Sequence, residues 1–312
     1  MEACYLWEKL GSQIHQGLQD DNIFEIMLNP DSSLWFKHKT QETLYAGNLD
    51  EHLASSFVHA LAQYENKFLN DQTPYLDATL PFSGERINIT IPPINQRISF
   101  NIRKKAKLVF TLEHYVESQI ITQKQANTLT HAITCRKNIL ISGSPASGKT
   151  TFANALLDVM AKLVPEGHRV LVLEQVPELQ CNVKNLKTML VSEHVTMNRL
   201  LWIAVRNSPD RIVIGEVRDG AALDMLKAWN TGCPGGIATI HANNPEAAVQ
   251  RVLDLACEVV TTPPYLLAAE ALDVIVQIEE RASHPAGRIV TEMITVKGFD
   301  TKTNLFQFEK LD

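Results

Sequence analysis

The octapeptide Gly143-Ser144-Pro145-Ala146-Ser147-Gly148-Lys149-Thr150 constrains this chain more than any other feature. It follows an apolar run at 138–142 and precedes a helical pattern at 150–163. A G-x-x-x-x-G-K-[ST] segment between a strand and a helix is a phosphate-binding loop. Its glycines let backbone N–H groups converge on phosphate oxygens without Cβ clashes, and the helix that follows points its positive end at the anion. The pattern assigns Gly143, Ser144, Ala146, Ser147, Gly148, Lys149, Thr150 and Thr151 to a nucleoside triphosphate, with ATP and Mg²⁺ as the expected ligands. Lys149 would bridge the β- and γ-phosphates, and the Thr150 hydroxyl would coordinate the metal.

The loop also fixes the fold class. From residue 122 onward the chain alternates apolar strands with helices: helix 122–135, strand 138–142, helix 150–163, strand 169–174, helix 198–206, strand 211–215, helix 220–230 and strand 236–241. Strands at 273–279 and 288–297 follow. Such alternation predicts an α/β domain with a mainly parallel, doubly wound sheet. Burial of both sheet faces explains the unbroken run Val170-Leu171-Val172-Leu173. The first part of the chain reads differently. A helix at 1–20, strands at 23–28 and 34–37 around Asn29-Pro30-Asp31, a helix at 50–69, and strands at 86–91 and 98–102 predict an α+β module. The expected division is an N-terminal α+β domain at 1–107, a linker at 108–122 and the nucleotide-binding domain at 123–312.

Three further strand ends converge on the loop. Arg211-Ile-Val-Ile-Gly ends in Glu216, placed to hold a metal-bound water or position an attacking one. Val170-Leu-Val-Leu ends in Glu174, with Glu178 nearby. Two carboxylates at neighbouring strand ends suit water activation and metal positioning, although a helix-start charge explains Glu178 equally well. The strand at 236–240 delivers His241 to the same edge, where it would bond or sense the γ-phosphate. Taken singly, a strand-end glutamate is an ordinary surface charge and a lone histidine an ordinary structural one. Their convergence with a complete phosphate loop makes the catalytic set Lys149, Glu174, Glu216 and His241.

Charge and cysteine content exclude other classes. Twenty-nine Lys and Arg against 35 Asp and Glu leave a formal charge of −6, opposite to what phosphate-backbone binding favours, so no direct nucleic-acid binding is expected. The basic stretch Arg103-Lys104-Lys105-Ala106-Lys107 reads as a solvated connector. Five scattered cysteines without a Cys-x-x-Cys pair suggest neither zinc nor redox chemistry and fit a reducing cytosol. The start of the chain lacks a secretory h-region, and apolar runs such as 139–141 and 212–214 fall far short of the ~20 residues that cross a bilayer. The expected location is cytoplasmic, with any membrane association peripheral.

Gly143-Ser-Pro-Ala-Ser-Gly-Lys-Thr-Thr151, Glu174-Gln-Val-Pro-Glu-Leu-Gln180, Ile214-Gly-Glu-Val-Arg218 and Thr239-Ile-His-Ala-Asn243 resemble the Walker A, Asp box, Walker B and His box of the type II/type IV secretion ATPases. The segment from Ala222 to Gly236, together with Phe24-Glu-Ile-Met-Leu-Asn-Pro30 and Phe110-Thr-Leu-Glu-His-Tyr-Val116, is similar to the conjugative subgroup. Two positions depart from the pattern: Gln175 stands where the family has Asp, and Cys233 where the subgroup has His. A thiol does not make an imidazole's bonds.

The resemblance implies a RecA-like ATPase domain, a homohexameric ring at the cytoplasmic face of the bacterial inner membrane, and inner-membrane components of a secretion or conjugation complex as partners. It also implies arginines that complete the site, with Arg86, Arg97 and Arg103 as N-terminal candidates and Arg206 and Arg218 in the ATPase part. The implied function is ATP hydrolysis driving pilus assembly or substrate passage. The alternatives are a pilus-retraction or type II secretion motor of the same fold, or a nucleotide-dependent scaffold with little turnover, which Gln175 would favour.

Overall fold

The computed structural model describes residues 3–38, 42–104, 110–192 and 194–311, without the side chains of Ala3 and Cys4. The chain divides into two compact units, Met1–Lys107 and Leu108–Asp312.

In the first unit an antiparallel six-stranded sheet packs on three helices. Its elements are α1 (Ala3–Lys9), α2 (Ser12–Gln19), β1 (Ile23–Leu28), β2 (Ser33–His38), β3 (Thr43–Asn48), α3 (Glu51–Tyr64), β4 (Tyr75–Thr79), β5 (Arg86–Thr90) and β6 (Ser99–Arg103), with strand order β3-β2-β1-β6-β5-β4. The single helix expected at 1–20 is two helices, broken at Gly11. Period-two alternation makes the sheet one-sided. Ile26, Ile87, Ile89, Phe100 and Ile102 face Leu6, Ile14, Phe57 and Leu61 of the helices. Burying each such side chain contributes about 2 kcal/mol.

The opposite face of this sheet carries a charged row beside Met27, Trp35 and Tyr45. Register places Lys37, Glu25, Arg103 and Arg86 side by side across β2, β1, β6 and β5, since directly opposed residues share a face. The expected solvated connector is corrected at Lys104. Its ammonium is buried and donates to the carbonyls of Gly17 and Asp20 at 2.9 and 2.6 Å, where the negative end of α2 draws a cation. Lys105, Ala106 and Lys107 lie outside the described residues.

The second unit is a mixed α/β body. Its elements are α4 (Leu112–Glu117), α5 (Gln123–Thr134), β7 (Ile139–Ser142), α6 (Lys149–Leu163), β8 (Arg169–Glu174), β9 (Asn185–Leu190), α7 (Met197–Ala204), β10 (Arg211–Ile214), α8 (Ala221–Asn230), β11 (Ile237–Ile240), α9 (Pro245–Ala256), α10 (Tyr265–Ala271), β12 (Val274–Glu280), β13 (Arg288–Asp300) and β14 (Leu305–Lys310). The eight strands run β14-β13-β12-β7-β11-β10-β8-β9; those from β12 to β9 are parallel, and β13 and β14 are antiparallel additions at one edge.

Strand β8 shows why the sequence dictates this arrangement. Leu171 and Leu173 enter the core under α7, α8 and α9, while Val170 and Val172 enter the other core under α5 and α6. Both faces are covered, so the strand must be apolar throughout. The stretch expected as a linker carries α4, and its Leu112, Tyr115, Ile120 and Ile121 are buried in the second core, a role its apolar spacing serves better than a solvated connection. Residues 108 and 109 lie outside the described residues.

Candidate active site

The phosphate loop runs from the end of β7 to the start of α6. Gly148 has φ 101° and precedes Lys149, the first helical residue, so a left-handed residue turns the chain into the helix. The Lys149 ammonium is nearly buried. It donates to the carbonyls of Gly143 and Ser144 at 2.9 and 2.8 Å and lies 2.9 Å from Nδ1 of His241. These bonds satisfy a buried cation with oxygen acceptors that belong to the loop itself. Ser147 is buried in the same loop, and its Oγ has no hydrogen-bond partner among the described residues. Thr150 and Thr151 are part-exposed at the first turn of α6, and Ser144 and Ala146 are exposed.

His241 follows β11, beside β7, and Glu216 lies in the loop after β10, beside β11. His241 Nε2 is 2.8 Å from Glu216 Oε1. This is a close polar contact and not an aligned hydrogen bond, since Glu216 Oε1 is left without a hydrogen-bond partner among the described residues, while Nδ1 faces the Lys149 ammonium and the Gly143 carbonyl at 3.2 Å. Burial lowers the pKa of His241 and the Lys149 charge lowers it further, against the pull of Glu216, so the ring is neutral at pH 7. The other Glu216 oxygen accepts from the Arg218 guanidinium at 2.5 Å, and Arg218 donates also to Gln175 Oε1 at 3.1 Å. The hydrogen bond to Glu216 raises the pKa of Arg218 against burial. The result is a continuous polar chain, Lys149–His241–Glu216–Arg218–Gln175, along the carboxyl edge of the parallel strands, where open α/β sheets bind ligands.

Glu174 ends β8 next to β10 and is almost fully buried. One oxygen accepts from the backbone N–H groups of Glu178 and Leu179 at 2.8 and 2.7 Å. Asn154 is a residue that sequence reasoning missed. Buried one turn into α6, it donates to the Glu178 carbonyl at 3.2 Å and accepts from the Gln180 amide at 2.8 Å, tying the 174–180 segment to the phosphate-loop helix. The available signal was an asparagine in a helix interior, where a polar side chain needs a specific partner.

The candidate arginines separate. Arg218 joins the polar chain. Arg206 stacks on Trp202, 3.7 Å from the ring centroid, and donates to the Trp202 carbonyl at 2.7 Å. Arg97 lies in the loop before β6, not within a strand, and pairs with Glu51 at 3.5 Å on the surface. Arg86 and Arg103 are cross-strand neighbours on the open face of the first unit's sheet. The turn 232–236 precedes β11 and so sits at the sheet edge opposite His241, which puts buried Cys233 away from the phosphate loop.

Nucleotide and metal fit these residues. The loop supplies an unpartnered buried hydroxyl, a lysine whose acceptors are its own loop's carbonyls, and a helix N-terminus. Thr150 and Glu216 are the hard oxygen donors suited to Mg²⁺, an ion that keeps several waters and needs few protein ligands.

Residues 12–298 match the family of type II/IV secretion system proteins. The chain is 41% identical over 294 residues to a probable conjugal transfer protein TrbB of Sinorhizobium fredii, covering 94% of this chain and 89% of that one. It is 38% identical to the conjugal transfer protein TrbB of Rhizobium radiobacter, covering 97% and 92%. The type IV secretion system protein VirB11 of Bartonella quintana is 31% identical over 75% of this chain and 76% of its own. In fold, the chain resembles the pilus retraction motor PilT solved with bound ADP, with a TM-score of 0.70, 16% identity and coverage of 94% and 84%. The phosphate loop, the polar chain at the carboxyl edge and these similarities agree: the chain belongs to the type II/IV secretion system protein family, as one of its ATPases on the branch of type IV secretion and conjugal transfer.

Proposed function

We propose that this chain works as a homohexameric ring, with a RecA-like ATPase domain, that applies Mg²⁺-dependent ATP hydrolysis to inner-membrane components of a conjugation or type IV secretion complex from the cytoplasmic side. The observation that carries the reading is the Lys149–His241–Glu216–Arg218 chain beside a complete phosphate loop. Among the described residues no helix is long and apolar enough to cross a membrane, so contact with a membrane complex would run through partners.

Each residue then has a task. The loop amides and Lys149 hold the β- and γ-phosphates, exchanging the carbonyls of Gly143 and Ser144 for phosphate oxygens. Thr150 and Glu216 hold Mg²⁺, which when bound offsets charge on the transferring phosphoryl group. Glu216 positions water, and neutral His241 keeps the carboxylate and the lysine in fixed relation. Glu174 braces the 174–180 segment in support of this set.

Assembly follows from a charge deficit. ATP brings about four negative charges, and Mg²⁺ with Lys149 supplies three positive ones. Arg86 and Arg103, neighbours on an open sheet face, are the proposed source of further positive charge. A closed ring lets domains move in turn as nucleotide binds and leaves. The test is the mass of the full chain in solution with Mg²⁺ and a non-hydrolysable ATP analogue, alongside its turnover and that of R86A/R103A. A hexamer whose turnover needs both arginines and Mg²⁺ is expected; a fully active monomer contradicts the assembly.

A further inference from the structure

The hairpin of β12 and β13 walls the phosphate loop on the flank away from His241 and Glu216. In the sheet, β12 adjoins β7 on one side and β11 adjoins it on the other. The approach is close: a Cβ on Gly143 would overlap the carbonyl oxygen of Ile278 in β12. Arg288, the first residue of β13, reaches the loop from this wall. A Cβ on Gly148 would overlap its guanidinium, coming within 3.3 Å of Cζ and 3.4 Å of Cδ. The cation therefore lies against the glycine that caps α6.

Its choice of position is informative. In the ladder Arg288 stands directly opposite Glu280, a carboxylate on the same face of the hairpin. Yet the Arg288 side chain makes no ion pair or hydrogen bond among the described residues, while the hairpin's other arginine, Arg281, lies 3.9 Å from Glu279. Arg288 is part-buried, and its positive charge reaches the Tyr115 hydroxyl, opposing the upward push of burial on that group. A part-buried guanidinium without an anion, held against a helix N-terminus, is arranged for an anion from outside the chain.

Resting on the nucleotide reading of the phosphate loop, we infer that Arg288 binds the α-phosphate end of the nucleotide, as a cation supplied by the same subunit that carries the loop. The strand order gives the direction. The γ-phosphate end belongs to the flank of β11 and β10, where His241 and Glu216 stand, so the flank of β12 and β13 serves the nucleoside end. A contact there is shared by ATP, ADP and the transition state. It lowers KM and the Kd of both nucleotides without raising kcat.

The experiment measures ADP–Mg²⁺ binding by calorimetric titration, together with kcat and KM, for the full-length wild type and for R288A, R288Q and R288K. The ligand-free melting temperature is recorded for each, so that a variant that fails to fold is set aside in favour of the others. Loss of one charge-assisted contact weakens ADP binding and raises KM about 10- to 100-fold in R288A and R288Q, with kcat within about twofold and partial recovery in R288K. An ADP Kd within about twofold of wild type in R288A and R288Q overturns the assignment, as does a fall in kcat with ADP affinity unchanged. If wild type itself fails to bind ADP, the phosphate-loop reading fails first and takes this inference with it.

Discussion

The two edges of the large sheet hold the same ingredients and spend them differently. At the carboxyl edge, Lys149, His241, Glu216 and Arg218 contact one another in sequence, and Lys149 also bonds to loop carbonyls. At the amino edge, the buried Arg211 guanidinium donates to the carbonyls of Gly235 and Ile133 at 3.1 and 2.8 Å and to His168 Nε2 at 3.1 Å. Neighbouring Arg136 donates to the Asp210 carbonyl at 2.6 Å, and Asn138 accepts from the amides of Gly235 and Gly236. Burial, and then the charge of Arg136, bring the pKa of Arg211 down to about 10. Its carbonyl acceptors belong to the closing turn of α5, where the Ile133 carbonyl also accepts from the Arg136 amide, and to the turn before β11. The cation at the carboxyl edge rests on acceptors that a phosphate can replace; the one at the amino edge is built into the fold. Burial and pairing alone therefore do not mark a functional site. What marks it is a network whose partners are exchangeable.

Replacing Arg211 tests that distinction with the largest expected change in stability. Arg211→Met removes three donated hydrogen bonds and strands the buried Gly235 carbonyl, which costs about 3 kcal/mol in chemical denaturation. Turnover per folded molecule should stay within about twofold of wild type, because no part of this cluster reaches the phosphate loop. A variant of unchanged stability that lost turnover would reverse the roles assigned to the two edges.

A smaller effect separates the two histidines. Burial lowers the pKa of both, helped at His241 by Lys149 and at His168 by Arg211 and Arg136. Each is neutral in the folded protein and binds fewer protons than the unfolded chain below pH 6.5. Its contribution is therefore intact above pH 6.5 and is lost as pH falls from there through the lowered folded value. Melting temperature should decline with acid in wild type and less steeply in H168Q. The acid loss of kcat should be traced to His241 and flatten in H241Q. An acid limb of kcat that is identical in H241Q removes His241 from the reaction.

The sequence made this site legible because its motif residues stand at or just beyond the ends of short strands buried on both faces: Glu174 ends β8, Glu216 comes after Ile212-Val213-Ile214 with one residue between, and His241 follows Ile237-Ala238-Thr239-Ile240. Edge strands gave no such signal. Strands β9, β3 and β14 expose alternate or most residues and carry polar sequences such as Asn185-Leu-Lys-Thr-Met-Leu190, so neither an apolar run nor a turn delimits them. Lys104 was misread because a charge run says nothing of which member meets a helix end. Gln175 looked like a lost carboxylate, but the acceptor that Arg218 needs survives in its amide oxygen. Arg288 has no motif at all; only the sheet order brings it from the end of the chain to the phosphate loop.

The central claim is that the exchangeable network at the carboxyl edge is where ATP is hydrolysed. Glu216→Gln tests it most directly, since the substitution keeps size and hydrogen-bonding capacity but removes the negative charge. ATP turnover and ADP affinity measured on the same preparation should show kcat reduced about 100-fold or more with ADP binding nearly unchanged. Turnover within about twofold of wild type would contradict the account.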